Sequence, residues 1–117
     1  MLSHVQLRVS DLRESVRFYE TVLAPLGVEK SWDDGELVEF GLLSLSADGP
    51  VSRHVHLAFD AGSRAEVEAF HRVALAAGFR EHGAPGYRER YAADYFAAYV
   101  LDPDGNNVEA VWRDPAR

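Results

Sequence analysis

The first part of the chain alternates between polar and apolar residues with the two-residue period of a β-strand. Between residues 4 and 9, the apolar residues Val5, Leu7 and Val9 share one face of the predicted strand, and polar residues occupy the other face. A second segment of the same kind, HLAFD, begins at His56. Both segments are followed by apolar residues at helical spacing. The pattern therefore predicts a half-buried strand and then an amphipathic helix in each place.

The two strand–helix segments align with each other, which indicates an internal duplication. His4 falls on His56 at an offset of 52 residues, and further residues of the same type or role coincide at that offset. These coincidences are Asp11 with Ser63, Glu14 with Glu66, Phe18 with Phe70, and Leu23 with Leu75. Asp11 and Ser63 each precede a glutamate by three residues, as in the capping boxes that begin helices. Two copies are too few for a solenoid, so we interpret them as paired modules of one domain.

Three short strands are predicted after each helix. The first module has them at about 28–33, 36–41 and 42–47, with a hairpin turn at Asp34–Gly35. The second module has them near Phe79–His82, Tyr95–Leu101 and Asn107–Trp112, and residues 102–105 form a turn between the last two. The prediction is thus an α+β fold of two tandem βαβββ modules. A single domain covers residues 1–117, with module 1 at about 1–49, module 2 at about 54–113 and a linker at 48–53.

Composition narrows the functional classes. Hydrophobic residues make up 47% of the chain and charged residues 26%, as in a folded globular protein. No apolar run reaches the roughly 18 residues of a membrane span, and the absence of cysteine excludes disulfides and thiolate ligands. A net charge of -7 argues against a nucleic-acid partner. The first residues, MLSHVQLRVSD, lack the pattern of a secretory signal, so we expect a cytoplasmic protein.

Two histidines and one glutamate are candidate metal ligands. Alternation places His4 and His56 on the polar faces of two equivalent strands, and Glu109 on the face of the last strand opposite Val108 and Ala110. If the modules pack side by side, the three side chains can reach one cleft. Two imidazoles and a carboxylate suit a divalent cation with open coordination positions. The alternative is that each histidine is an ordinary hydrogen-bonded residue, and the repeat symmetry favours the metal site.

Three segments resemble the vicinal oxygen chelate superfamily, which includes glyoxalase I, extradiol dioxygenases, fosfomycin-resistance thiol transferases and bleomycin-resistance proteins. They are HVQLRVSDLxxSVxFY at the start, HLAF in the middle and DPDGNNVEAV at the end. The resemblance spans almost the whole chain, from His4 to Trp112. It implies that the two modules form a curled mixed sheet around a metal-binding cleft, commonly in a homodimer.

The resemblance also implies the ligands of that site. His4 matches the ligand of the family's first strand, His56 that of the fifth strand, and Glu109 the carboxylate of the eighth strand. His54 competes for the fifth-strand position. We prefer His56, because only His56 keeps the seven-residue spacing to the helix cap that His4 has to Asp11.

One position departs from the pattern of glyoxalase I. Members of that branch have a carboxylate on the fourth strand, where this chain has Ser44, and this argues against glyoxalase I activity. Glu36 and Glu39 lie nearby on the preceding strand and are predicted to be solvated. The remaining His-His-Glu set is similar to the three-ligand sites of the dioxygenase and thiol-transferase branches.

The segment from Gly83 to Asp94 is a candidate lid over the cleft. Arg88 or Arg90 would hold an anionic group of the substrate, and tyrosines would form the walls. A solvated connection between strands is the alternative for this segment. The full set of candidate substrate-binding residues is Arg8, Arg88, Tyr91, Tyr95 and Tyr99.

Two functions of different classes fit these residues. The first is a small metal-dependent enzyme, a lyase, isomerase, dioxygenase or thiol transferase, in which Zn, Mn, Ni or Fe(II) chelates adjacent oxygens of a small metabolite. Glu109, or a bound water, would then act near the proton-transfer step. The second is a non-catalytic protein that binds or sequesters a small molecule or antibiotic, as in the bleomycin-resistance branch. We expect a homodimer in both cases, with ligands from one chain or from two.

Overall fold

The chain folds as two copies of a strand–helix–three-strand unit, and the computed structural model describes all residues from Met1 to Arg117. The first unit contains β1 (Val5–Arg8), α1 (Leu12–Leu23), a short 3-10 helix (Ala24–Leu26), β2 (Trp32–Asp33), β3 (Leu37–Phe40) and β4 (Leu43–Ser46). The second unit contains β5 (His56–Asp60), α2 (Arg64–Ala76), β6 (Arg80–Tyr87), β7 (Tyr95–Leu101) and β8 (Asn107–Arg113). Neither helix has the length and apolar character needed to cross a membrane.

Each unit forms its own four-stranded mixed sheet. The strand orders are β1-β4-β3-β2 and β5-β8-β7-β6, so the two sheets have the same topology. In each sheet the first strand pairs in parallel with the last strand of its unit, and the other pairings are antiparallel. The predicted α+β fold of two tandem βαβββ modules is confirmed. This topology leaves β1 and β5 as edge strands, each without a partner on one side.

Both helices begin at the predicted caps. The side chain of Asp11 accepts a hydrogen bond from the backbone N–H of Glu14, and that of Ser63 accepts one from Glu66, each at 3.2 Å. These bonds satisfy backbone donors that have no partner within the first turn of a helix. The helices start at equivalent places in the repeat because both units carry the same local capping signal.

The core lies between the helices and one face of each sheet. A single cluster of buried apolar side chains joins the two units, and its largest members are Phe18, Tyr19, Phe40, Phe70 and Phe96. Burying side chains of this size stabilises the fold by about 1.5–3 kcal/mol each. The opposite face of each sheet carries no helix, so it is available to line a site.

The turn at residues 102–105 connects the two units. Oδ2 of the buried Asp102 accepts a 2.8 Å hydrogen bond from the Tyr19 hydroxyl, and the Ser10 hydroxyl donates one of 2.6 Å to Asp104. Asn106 also donates from Nδ2 to Asp102, at 3.1 Å. The predicted turn is confirmed, and its carboxylates additionally attach module 2 to α1 and to the end of β1.

The predicted lid is shorter than the sequence pattern indicates. Gly83 to Tyr87 belong to β6, which continues past two irregularities in its register with β7. Such bulges let a strand pass through glycine-rich sequence, and Pro85 is tolerated because β6 is an edge strand. The prediction of a loop from Gly83 was therefore wrong for its first five residues, and only residues 88–94 connect β6 to β7.

Candidate functional site

The helix-free face of the second sheet carries a set of polar side chains on adjacent strands. Alternation along β7 turns Tyr95 and Tyr99 toward this face, and alternation along β8 turns Asn107 and Glu109 toward it. The register pairs Tyr99 with Glu109, and Glu109 with Ala58 on β5. The opposite side of both strands packs into the core, as the sequence pattern predicts.

His56 and Glu109 form a close pair on this face. His56 Nε2 lies 2.7 Å from Glu109 Oε1, and the Tyr95 hydroxyl donates a hydrogen bond of 2.5 Å to Oε2 of the same carboxylate. Glu109 is only 1% exposed, whereas half of the His56 side chain is exposed. The arrangement is a buried carboxylate fixed from behind by a phenol, with an accessible imidazole beside it.

Burial raises the pKa of Tyr95, and the hydrogen bond to the negative Glu109 raises it further. The phenol therefore keeps its proton at neutral pH and remains a donor to Oε2. Burial also raises the pKa of Tyr99, which lies four residues further along β7 on the same face. Two neutral phenols thus lie beside the carboxylate.

The His56–Glu109 pair has the chemistry of two neighbouring metal ligands. Nε2 and Oε1 share a hydrogen bond of 2.7 Å, and ligand atoms about 2.1 Å from a tetrahedral zinc lie about 3.4 Å apart, so binding a cation would require the two side chains to separate slightly. Hydrogen bonds from behind, such as that from Tyr95, commonly orient the carboxylates that bind metals. The donor set thus fits a borderline cation such as Zn, Mn, Ni or Fe(II).

His4 does not join this pair within one chain. It is exposed and lies just before β1 in the other sheet, and no third His, Asp or Glu completes a metal-binding group with His56 and Glu109. His54 precedes β5, is exposed and has a left-handed backbone with φ of 59°. Of the two competing histidines, His56 is the one that contacts Glu109.

The equivalent face of the first sheet carries Ser44 and Glu39. These residues are register partners on β4 and β3, and the Ser44 hydroxyl donates a 3.0 Å hydrogen bond to Oε2 of Glu39. Glu39 was predicted to be solvated; strand pairing turns it toward the buried Ser44, and it remains partly exposed. Glu36 is exposed, as predicted. Arg8 lies near the linker, 3.4 Å from Asp48.

A cavity of about 320 Å³ lies on the second sheet, beside β6 and the loop that follows it. The Arg88 guanidinium is 5.2 Å from the centre of the Tyr99 ring, and the Arg90 guanidinium is 5.0 Å from that of Tyr91. The residues that line the cavity are His82, Gly83, Arg88, Arg90, Tyr91, Tyr99 and Asn107. Of the predicted substrate-binding residues, three line this cavity, Tyr95 contacts Glu109, and Arg8 lies on the other sheet.

Sequence reasoning missed two polar residues of this cavity. His82 and Asn107 were assigned to strands without a functional role. Asn107 follows directly from alternation, because it is two residues before Glu109 on β8 and shares its face. His82 had no such signal, because the bulges in β6 disturb the alternation there.

An apolar groove of about 340 Å³ lies at the two edge strands, and sequence reasoning missed it as well. Leu2 and Leu42 are 68% and 57% exposed beside it. The groove is lined by Leu2, Val5, Val28, Phe40, Gly41, Leu42, Leu43, Leu57, Ala58 and Phe59. Only one of these ten residues is not hydrophobic.

Two βαβββ modules with an imidazole–carboxylate pair on a helix-free sheet face define a known class of α+β protein. The family model described as the Glyoxalase/Bleomycin resistance protein/Dioxygenase superfamily matches residues 1–110, and the chain belongs to this superfamily. The resemblance seen in the sequence motifs is confirmed. No curated protein matches the chain in sequence.

Solved structures show the same fold. A glyoxalase/bleomycin resistance protein from Albidiferax ferrireducens is 29% identical, with a TM-score of 0.85 over 97% of this chain and 99% of that protein. A lactoylglutathione lyase from Agrobacterium tumefaciens is 24% identical, with a TM-score of 0.69 over 96% and 92% of the two chains. The fosfomycin resistance protein FosX from Listeria monocytogenes is 19% identical, with a TM-score of 0.72 over 99% and 95%.

Proposed function

We propose that this protein is a small metal-dependent enzyme of the superfamily that acts on a metabolite with adjacent oxygen atoms. The observation that carries the proposal is the His56–Glu109 pair, with Nε2 2.7 Å from Oε1 and the carboxylate buried. Burying an ionised carboxylate costs free energy unless cations or hydrogen-bond donors compensate its charge. The Tyr95 hydroxyl donates a hydrogen bond to Oε2 of this carboxylate and so compensates part of its charge. Only the imidazole of His56 contacts the other oxygen, Oε1.

The third ligand in this proposal is His4 of a second copy. β1 and β5 are both unpaired edges, and the apolar groove beside them exposes Leu2 and Leu42. A second copy that places its β1 edge against the β5 edge of the first covers this surface. Because His4 directly precedes β1 and His56 begins β5, this arrangement brings the two histidines to neighbouring strands. A two-fold dimer forms two such sites.

The bound cation would supply Lewis-acid stabilisation of negative charge that develops on the substrate oxygens. His56 Nε2 and Glu109 Oε1 would hold it, and the Tyr95 hydroxyl keeps the carboxylate oriented through Oε2. Glu109, as the carboxylate of this pair, is also the group of this chain that we place near the proton-transfer step. Lyase, isomerase, dioxygenase and thiol-transfer reactions all fall within this proposal.

The metal content of the purified protein tests the proposal. After loading with Zn, Mn, Ni or Fe(II) and removal of excess metal, we expect about one ion per chain in the wild type, and loss of it in His56→Ala and Glu109→Gln. His71→Ala is the matched control, because His71 also lies 2.7 Å from a glutamate, Glu81, which is partly exposed. Equal and negligible metal in the wild type and in His56→Ala would overturn the proposal.

A non-catalytic binding protein is the second candidate, and the tyrosines of the site favour it. The rings of Tyr91 and Tyr95 are 5.2 Å apart between centroids, and that of Tyr99 is 6.2 Å from the His56 ring. Aromatic walls of this kind bind planar ligands without a metal. Saturable binding of an aromatic ligand by metal-free protein, with no metal uptake under any loading condition, would select this function.

A further inference from the structure

We infer that the cavity beside Arg88 is an anion-binding subsite that takes the carboxylate or phosphonate head group of a small aromatic or apolar molecule. This inference adds a substrate class to the proposed function and rests on it for the assignment of that molecule as the substrate. The cavity itself is a feature of one chain. Its binding of anions therefore requires neither a metal nor a second copy.

The cavity contains positive charge that no protein carboxylate pairs with. Arg88 is partly buried, and one of its N–H groups, on Nη2, donates to the Ala84 carbonyl at 2.5 Å. A guanidinium has five N–H donors, so most of those on Arg88 have no partner in the protein. Neither Arg88 nor Arg90 pairs with a carboxylate, although the chain has 19 acidic and 12 basic residues.

The shape of β6 accommodates Arg88. A Cβ atom at Gly83 would lie 2.7 Å from the Tyr99 ring, and one at Gly86 would lie 2.8 Å from Nη1 of Arg88. The two glycines therefore leave the space in which the guanidinium lies over Tyr99. The carbonyl of Ala84 and the ring hold a side chain that would otherwise be mobile, which lowers the entropy cost of binding.

Asn107 connects the cavity to the His56–Glu109 pair. Its side chain lines the cavity, and its Nδ2 group makes no hydrogen bond in the protein, so its amide N–H groups are available to an anion. Asn107 is the register partner of His56. The subsite thus adjoins the His56–Glu109 pair on the same sheet face.

These groups select a planar or tetrahedral oxyanion with an apolar body. A guanidinium binds two oxygens of a carboxylate or phosphonate in parallel, which a single ammonium does not. The rings of Tyr91 and Tyr99 provide the apolar walls, and about 320 Å³ suits a small molecule. With its anionic end at Arg88, such a molecule extends along the sheet face toward His56.

Calorimetric titration of metal-free protein with phenylphosphonate, benzoate and neutral benzyl alcohol tests the subsite. We expect saturable binding of at least one of the two anions, none of benzyl alcohol, and at least tenfold weaker anion binding in Arg88→Gln. Tighter phenylphosphonate indicates a phosphonate or phosphate substrate, and tighter benzoate a carboxylate. Arg90→Gln should weaken binding in the same direction.

Arg72→Gln is the matched control, because Arg72 is an exposed arginine of α2 outside the cavity, and its loss changes the net charge equally. Equal affinity in the wild type, Arg72→Gln and Arg88→Gln would overturn the subsite, as would equal binding of benzyl alcohol. Thermal unfolding of each variant verifies its fold. Anion binding that persists in His56→Ala while the metal is lost separates the subsite from the metal site, so each proposal can fail without the other.

Discussion

The Tyr95 hydroxyl donates a hydrogen bond of 2.5 Å to Oε2 of Glu109. This bond crosses from β7 to β8 and fixes the carboxylate so that Oε1 faces His56. The orientation of the carboxylate therefore depends on a residue that is not itself proposed to bind the cation.

Tyr95→Phe removes this bond and keeps the ring. We expect metal affinity to fall by about 10–100-fold, because groups that orient a ligand through hydrogen bonds contribute on this scale. Competition with a chelating indicator measures the change. Tyr91→Phe is the control, since the Tyr91 hydroxyl makes no hydrogen bond in the protein and half of the side chain is exposed. Unchanged affinity in Tyr95→Phe would show that the phenol does not orient Glu109.

The hydrogen bond between Tyr19 and Asp102 should contribute to the stability of the fold. Tyr19→Phe leaves a buried carboxylate oxygen with one donor fewer, and we expect a loss of about 1–3 kcal/mol in the free energy of unfolding. Urea denaturation measures it. Ser10→Ala removes an exposed link to the same turn and should cost about 1 kcal/mol or less. An equal effect of the two substitutions would contradict the expectation that the buried bond of Tyr19 contributes more to stability than the exposed bond of Ser10.

Ionisation of the buried Tyr19 phenol should also make the protein less stable at alkaline pH. Burial raises its pKa well above the ordinary value of 10.0, and the negative charge of Asp102 raises it further. A group whose pKa is higher in the folded state stabilises the protein below the unfolded value, and this contribution decreases as the pH rises above it. The free energy of unfolding should therefore decrease above about pH 10, and less steeply in Tyr19→Phe. Parallel pH profiles of the two proteins would contradict this.

Much of the second sheet could be predicted from local sequence. Period-two alternation places Glu109 on the face of β8 opposite Val108 and Ala110, because each side of the sheet meets a uniform environment over several residues. The register of β7 with β8 then brings Tyr95 and Tyr99 to the same face. The helix starts at Asp11 and Ser63 could also be predicted from the sequence, because a cap depends on a hydrogen bond that spans only three residues. Strand faces and helix starts depend on residues that are close in sequence, so a local sequence pattern predicts them.

Other features depend on contacts between distant residues. Glu39 is partly buried only because its strand register sets it beside Ser44, and no local pattern contains that register. The continuation of β6 through Gly83 and Gly86 depends on how closely Tyr99 and Arg88 approach. Turn-forming residues therefore indicated a loop where packing produces a bulged strand.

The apolar groove predicts how the chain associates. Leu42→Glu places a charge in the groove, and we expect the wild type to sediment as a dimer and Leu42→Glu as a monomer at micromolar concentration in sedimentation velocity. Leu75→Glu, at an exposed position of α2 that is 41% exposed, should remain dimeric. If His4 comes from a second copy, Leu42→Glu should also lose metal. A wild-type monomer with a full complement of metal would rule out the shared site.

Mixing two variants that each lack one proposed ligand distinguishes a site built by one chain from a site built by two. His4→Ala and His56→Ala each lack one ligand, so neither homodimer should retain metal. In a mixed dimer with shared sites, one site lacks both histidines, and the other combines an intact His4 with an intact His56 and Glu109. After equal mixing and random exchange, half of the dimers are mixed, so the metal bound should return to about a quarter of the wild-type amount. Ligands from a single chain would give no recovery, because every chain in the mixture lacks one histidine.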